Sequence, residues 1–183
     1  MRFIFMYFFL VCISNILNAQ KRQVIYEGTP PVIETIYFSG NGFRGVIFPK
    51  EFSLVQKVIP NYKNSLRYTP TVQEVLYVDS LAFLYVKKKN EESLKKYGGY
   101  EQQGGNQCPI IHENWNNFIR QVIGYKDENG DEMILINCFW KELAEEEHFY
   151  WLEEFVFIQG GCSDYWQIFY NKTKGEIVRW SIN

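Results

Sequence analysis

Apolar and polar positions alternate most regularly over residues 118–183. FIRQVIGYK is followed by DENGD and EMILINCFW, and the rhythm resumes with EEFVFIQ, GGCS, DYWQIFYN, KTKG and EIVRWSIN. Runs rich in β-branched and aromatic residues, punctuated by Gly, Asn and Asp, predict strands joined by turns. With the polar connector at 141–147 set aside, the pattern predicts a curved antiparallel β-meander of four to five strands. Trp166, Ile168 and Tyr170 oppose Tyr165, Gln167 and Phe169, while Val178, Trp180 and Ile182 oppose Ile177, Arg179 and Ser181. The second alternation predicts one apolar face for a helix and one mixed face for solvent.

The covering helix is predicted over about residues 70–90. Thr69 supplies an N-cap, Pro70 a first helical residue and Glu74 an acid in the first turns. Val72, Val75, Leu76, Leu81, Leu84 and Tyr85 recur close to a helical stripe, and Lys87, Lys88 and Lys89 suit the C-terminal end of the dipole. VLYV and FLYV would also suit a strand, and the cap decides for helix. Gly98, Gly99, Gly104 and Gly105 make residues 91–106 a polar loop. The fold class predicted is α+β, with one main helix packed on one face of the sheet.

Ahead of this domain, residues 20–68 form an arm or a hairpin. VIETIYF, the turn SGNG and FRGVIF suit a hairpin, and an irregular arm closed by Pro49 is the alternative. Phe52, Leu54, Val55, Val58 and Ile59 suit a short helix stopped by Pro60.

Residues 1–19 read as a secretory signal peptide: Arg2, an apolar run from Phe3 to Ile13, and Ala19 before Gln20. The run is shorter than the ~20 residues that cross a bilayer. Val11 stands before Cys12 where a lipoprotein acylation site needs a small residue. Export to the periplasm or beyond is therefore expected. It leaves Cys108, Cys138 and Cys162, an odd set in an oxidising compartment. At most one bridge is expected, with Cys138 and Cys162 the candidate pair.

Charged residues at 22% and hydrophobic ones at 46% describe a chain able to bury a core rather than a disordered tail. A net charge of -2, with Lys and Arg massed nowhere, argues against nucleic acid as a partner.

One resemblance accompanies these readings. The Thr-Pro-Thr start at 69–71, CPIIHENWNNFIRQVIGYKDENGDEMILINCFW and the terminal GGCSDYWQIFYNKTKGEIVRWSIN resemble a group of small exported proteins common among Bacteroidetes-type bacteria. The likeness covers the last two thirds of the chain. It implies no activity, cofactor or site residue.

Candidate chemistry is sparse. His112 and His148 are the only histidines, and no local signature joins either to Cys108, Cys138 or Cys162 as a nucleophile pair. Cys108 and His112 make one i, i+4 pair, short of the three or four ligands that zinc needs. Glu142, Glu145, Glu146, Glu147, Glu153 and Glu154 supply carboxylates for glycoside cleavage, and equally a solvated connection. Asp127 to Glu132 resembles part of a calcium loop, although Asn129-Gly130 explains a plain hairpin turn. Asn171-Lys172-Thr173 matches a glycosylation acceptor, which lapses in a bacterial protein. No cofactor motif is present.

The aromatic residues Trp140, Phe149, Tyr150, Trp151, Tyr165 and Trp166 cluster near strand ends. Trp140, Tyr150, Trp151, Tyr165 and Trp166 are the candidate binding residues for a protein or glycan ligand. Their competing explanation is an aromatic core. The leading expectation is an exported, non-catalytic binding or accessory domain. A small hydrolase using Glu or Cys is the alternative, as is an inhibitor presenting the Asp127–Asp131 tip.

Overall fold

The computed structural model describes residues 20–24, 33–40, 42–52, 66–97, 109–145, 150–158 and 162–182. Among the described residues one α-helix, α1 (Val72–Tyr97), lies against one sheet. The strands are β1 (Gln20–Val24), β2 (Ile33–Gly40), β3 (Phe43–Phe48), the two-residue β4 (Arg67–Tyr68), β5 (Phe118–Lys126), β6 (Glu132–Trp140), β7 (Tyr165–Asn171) and β8 (Glu176–Ile182). Seven run side by side in the order β1-β2-β3-β5-β6-β7-β8, and β4 pairs with β5 off this path. The α+β class therefore holds, with a mostly antiparallel sheet in which β5 to β8 pair as neighbours in chain order, but the sheet is not the curved four-to-five-strand meander expected.

The four-to-five-strand meander is corrected in two ways. The N-terminal hairpin β2–β3, turning at Gly42 with φ 93°, joins the same sheet through a parallel pairing of β3 with β5. Conversely, the apolar run at 155–158 is no strand. It belongs to an irregular strap, residues 150–158, laid over the sheet.

That strap explains why β5, β6 and β7 are buried almost end to end. Alternate side chains pack under α1 on one face and under the strap on the other. Val122, Ile136 and Trp166 belong to the helix side, and Ile123, Leu135 and Phe169 to the strap side. Across β5, β6 and β7 the face away from the helix is thus a second core, while in β8 Arg179 stays exposed as expected.

The strap is held by side-chain amides. Gln121, Asn137 and Gln167 stand side by side on β5, β6 and β7. Gln121 Nε2 donates to the Trp151 carbonyl at 2.6 Å and the Glu154 carbonyl at 2.7 Å, and Gln121 Oε1 accepts from Val156 N at 2.8 Å. Asn137 Nδ2 donates to the Val156 carbonyl at 2.9 Å, and Gln167 Nε2 donates to Asn137 Oδ1 at 3.0 Å. An irregular segment on a core must satisfy its peptide groups somewhere, and these amides replace a missing strand.

The helix starts at Val72 rather than Pro70 and runs longer than expected. Its cap is Thr71, not Thr69: Thr71 Oγ1 accepts from Glu74 N, and Thr71 N donates to Glu74 Oε2 at 2.8 Å, a reciprocal capping box. Beyond Asn90 the helix continues to Tyr97, with Ser93 still buried and Glu92 between Lys88 and Lys89. Val75, Val78, Ala82 and Val86 form the buried stripe. Leu84, expected in the stripe, lies two residues from both Ala82 and Val86, on the opposite flank, and is 61% exposed.

In β8 the register skips Val178 opposite the Phe169–Tyr170 step. This bulge puts Ile177 with Trp180 and Ile182 on the helix side, and leaves Val178 outward instead of Ile177. The signal peptide, most of the helix expected over 52–59, Cys108, His148 and Phe149 lie outside the described residues.

Candidate functional site

Beside α1, residues 109–117 cross from the helix side to β5, ending in a 3-10 turn at Trp115–Asn117. Between this loop and the helix opens a cleft of about 680 Å³. Phe43 at the start of β3, Ser80, Phe83 and Leu84 from α1, and residues 112–117 of the loop line it, together with Asp79.

Asp79 and Arg120 fix this corner. Each is the lone charge in an otherwise apolar stretch, and folding brings them together: Arg120 Nε donates to Asp79 Oδ1 at 2.9 Å. Trp115 Nε1 donates to the other oxygen, Asp79 Oδ2, at 2.9 Å. Arg120 also donates through one NH group to the Trp115 and Phe118 carbonyls at 2.8 and 2.6 Å. Its guanidinium carbon lies 4.5 Å from the Phe43 ring centre and 5.0 Å from that of Trp115. The second NH group has no hydrogen-bond partner, and these two ring faces are what it has in exchange. The carboxylate in the cleft thus orders the loop.

The loop is further braced from within. Asn114 Nδ2 donates to the Ile110 carbonyl, Asn117 Nδ2 to Asn114 Oδ1, and Lys141 Nζ to Asn117 Oδ1 at 2.8 Å. His112 Nδ1 lies 2.8 Å from Asn90 Nδ2 on the helix, where only the amide can donate. The ring therefore anchors the loop to α1. Phe83 meets Trp115 edge-on at 5.4 Å.

The expected binding aromatics are not brought together. Trp166 is wholly buried on the helix side, and Trp140 packs edge-on against Phe118 there. Trp151, from the strap itself, and Tyr165, beneath it, are buried on the opposite side. Only Tyr150 among the five is exposed, at 56%. Strand alternation separates residues that the sequence places close together.

The cysteine pairing is also corrected. Cys138 is a buried free thiol near the C-terminal end of β6, with its side chain under α1. Cys162 is disulfide-bonded, so its partner is not Cys138 and lies outside the described residues. Burial pushes the Cys138 thiol far above its ordinary value, outweighing the nearby Arg120 charge, so it is no thiolate nucleophile.

Among the described residues no group of three or more His, Cys, Asp or Glu could hold a metal. In the Asp127–Glu132 turn, Asp127 Oδ1 accepts from Asn129 N and Asp131 N, and Asp131 Oδ2 accepts from Asn171 and Lys174. Those carboxylates close a hairpin. Of the acidic connector, Glu142 and Glu145 are exposed, and Glu145 lies 3.8 Å from Arg44. Asp164 is raised by burial and then by the charge of Glu142, but neither residue lines the cleft. Glu146 and Glu147 lie outside the described residues.

Sequence reasoning missed the cleft. A lone Asp79 in VLYVDSLAFLYV and a lone Arg120 in FIRQVIG were its signal, since an acid and a base in two buried elements call for each other. No family model, curated protein or solved structure matches the chain.

Proposed function

We propose that this chain is an exported binding domain that performs no chemistry of its own, with its ligand seated in the cleft between α1 and residues 109–117. One observation carries the reading. Both oxygens of Asp79, the buried carboxylate of the cleft, are engaged by Arg120 Nε and Trp115 Nε1. A general acid or base needs a proton site facing the substrate, and the Asp79 side chain is 7% exposed with each oxygen already accepting a bond that holds the loop. What remains at the surface is a recognition set: apolar side chains from the helix, and amides and an imidazole from the loop.

The thiol-hydrolase alternative loses support from Cys138, which is buried and held protonated. An inhibitor presenting the Asp127–Asp131 tip is less favoured, because those acids are tied to their own turn and to β7–β8. Export rests on the N-terminal pattern, and sequencing the secreted chain is expected to find Gln20 first.

Amide-resolved NMR, with the chain titrated by a library of small fragments, tests the site. Shifts are expected at Ser80, Phe83, Leu84 and residues 112–117. Shifts confined to other surfaces would discard the cleft as the ligand site.

A further inference from the structure

Resting on that reading of the cleft, the geometry points to a neutral oligosaccharide as the class of ligand it takes. The first argument is charge. Among the described residues no Lys or Arg lines the cleft, whereas Asp79 and Glu113 do. Arg120, the nearest guanidinium, is wholly buried and held between the Phe43 and Trp115 rings. A sulfate, phosphate or carboxylate would meet Glu113, while Lys141, the cation behind this wall, already donates to Asn117 Oδ1 at 2.8 Å. A cationic ligand would find only Glu113 at an exposed rim, where a single charge pair contributes little.

The second argument is the division of the walls. On the helix wall stand Leu84, 61% exposed, and half-buried Phe83. On the loop wall stand Asn116, exposed, and Asn117, whose Nδ2 keeps one hydrogen beyond its bond to Asn114. One wall is apolar, and the other both donates and accepts. A pyranose has the matching division, with a C–H face and an edge of hydroxyls that donate and accept at once. The volume of about 680 Å³ falls within the range of small-molecule sites, about 300–1,000 Å³.

The third argument separates a sugar from a peptide. Extended peptides are held by main-chain donors and acceptors along an open strand edge. These walls are a helix flank and a 3-10 turn, and β3, which contributes Phe43, is already paired with β2 and β5. The polar groups offered are side chains.

Isothermal titration of the full exported chain with maltotriose and with chitotriose tests the assignment, with trilysine and a sulfated disaccharide alongside. One neutral trisaccharide is expected to bind, with an affinity unchanged at ~1 M salt, where charge attraction is screened within about 3 Å. Phe83→Ala and Asn116→Ala are each expected to weaken it about tenfold, a typical loss for one good contact. Leu84→Ala, at an exposed position, keeps the test readable if Phe83→Ala folds poorly. Tyr150→Ala, outside the cleft, is expected to change nothing. If fragments occupy the cleft but neither trisaccharide binds, the sugar assignment falls and the site stands. If a trisaccharide binds and the Phe83, Leu84 and Asn116 variants all bind it normally, this cleft is not the sugar site.

Discussion

Arg120 sits in a strand and Asp79 in a helix, packed among the apolar residues of the helix-side core, and their side chains are 0% and 7% exposed. Removing one member strands the other charge away from water, which costs about 3–5 kcal/mol, whereas replacing both by apolar residues of similar size is often near neutral. Asp79→Leu and Arg120→Met are therefore each expected to lower the urea unfolding free energy by about 3 kcal/mol or more, and the double variant to recover most of it. Simple additivity would mean that packing rather than charge sets the cost. A more exposed cluster gives a pH signature. Lys172 Nζ lies 2.7 Å from Glu74 and 2.8 Å from Glu132. Burial pulls the Glu74 carboxyl upward, but the hydrogen bonds from Lys172 and Thr71 leave it below 4.5. Hydrogen bonds to Glu132 and Glu74 hold Lys172 above 10.5. A depressed acid stabilises the fold above its unfolded value and loses that contribution as pH falls through the folded one. A raised base stabilises below its unfolded value and loses that contribution as pH rises through the folded one. Chemical-denaturation stability is thus expected to sag at both ends, and Lys172→Ala to flatten both slopes, the effect shrinking in high salt.

Among the elements, the strap is the one whose order depends on side chains rather than on a ladder. Gln121→Ala removes three bonds to its peptide groups and leaves those groups buried without partners, an expected loss of about 3 kcal/mol. Hydrogen exchange locates the effect: the Val156 amide is expected to lose protection while the β6 amides keep theirs. Equal loss in both would mean that strap and sheet open together. The same element shows where sequence reasoning stops. FVFI has every local mark of a strand, and local propensity cannot register that the strap's peptide groups are met by amides from two strands distant in sequence. The parallel contact of β3 with β5 is illegible for a related reason, since the chain between them contains α1 and long connections. By contrast, β5 to β8 and the helix are legible because their periodicity and turns are local. The position of the helix cap is not, because Thr69 and Thr71 are equivalent by type and only the reciprocal bond with Glu74 separates them.

At the scale of the whole molecule, two cores share one sheet, and the aromatic richness that suggests a binding face fills both. The cleft has only the lone Asp79 and Arg120 as its signal in the sequence, because its walls come from β3, α1 and a loop that no sequence pattern joins. With Cys138 on an interior strand of the sheet, under the helix, a chemical reporter exists for whether these layers open separately. Its thiol is 0% exposed and held protonated by burial, so a maleimide reaches it only when the helix leaves the sheet. If the layers open as one unit, the labelling rate of Cys138 is expected to rise with urea along the slope of global unfolding. Gln121→Ala then decides the matter. Loosening the strap exposes the far face of the sheet, while Cys138 faces the helix. A variant that frays locally will therefore leave native labelling of Cys138 unchanged while Val156 exchanges freely. A variant that accelerates both by the same factor, about 150-fold for a loss of about 3 kcal/mol, has only global unfolding available to it. In that case the strap and the helix behave as one cooperative unit across the sheet.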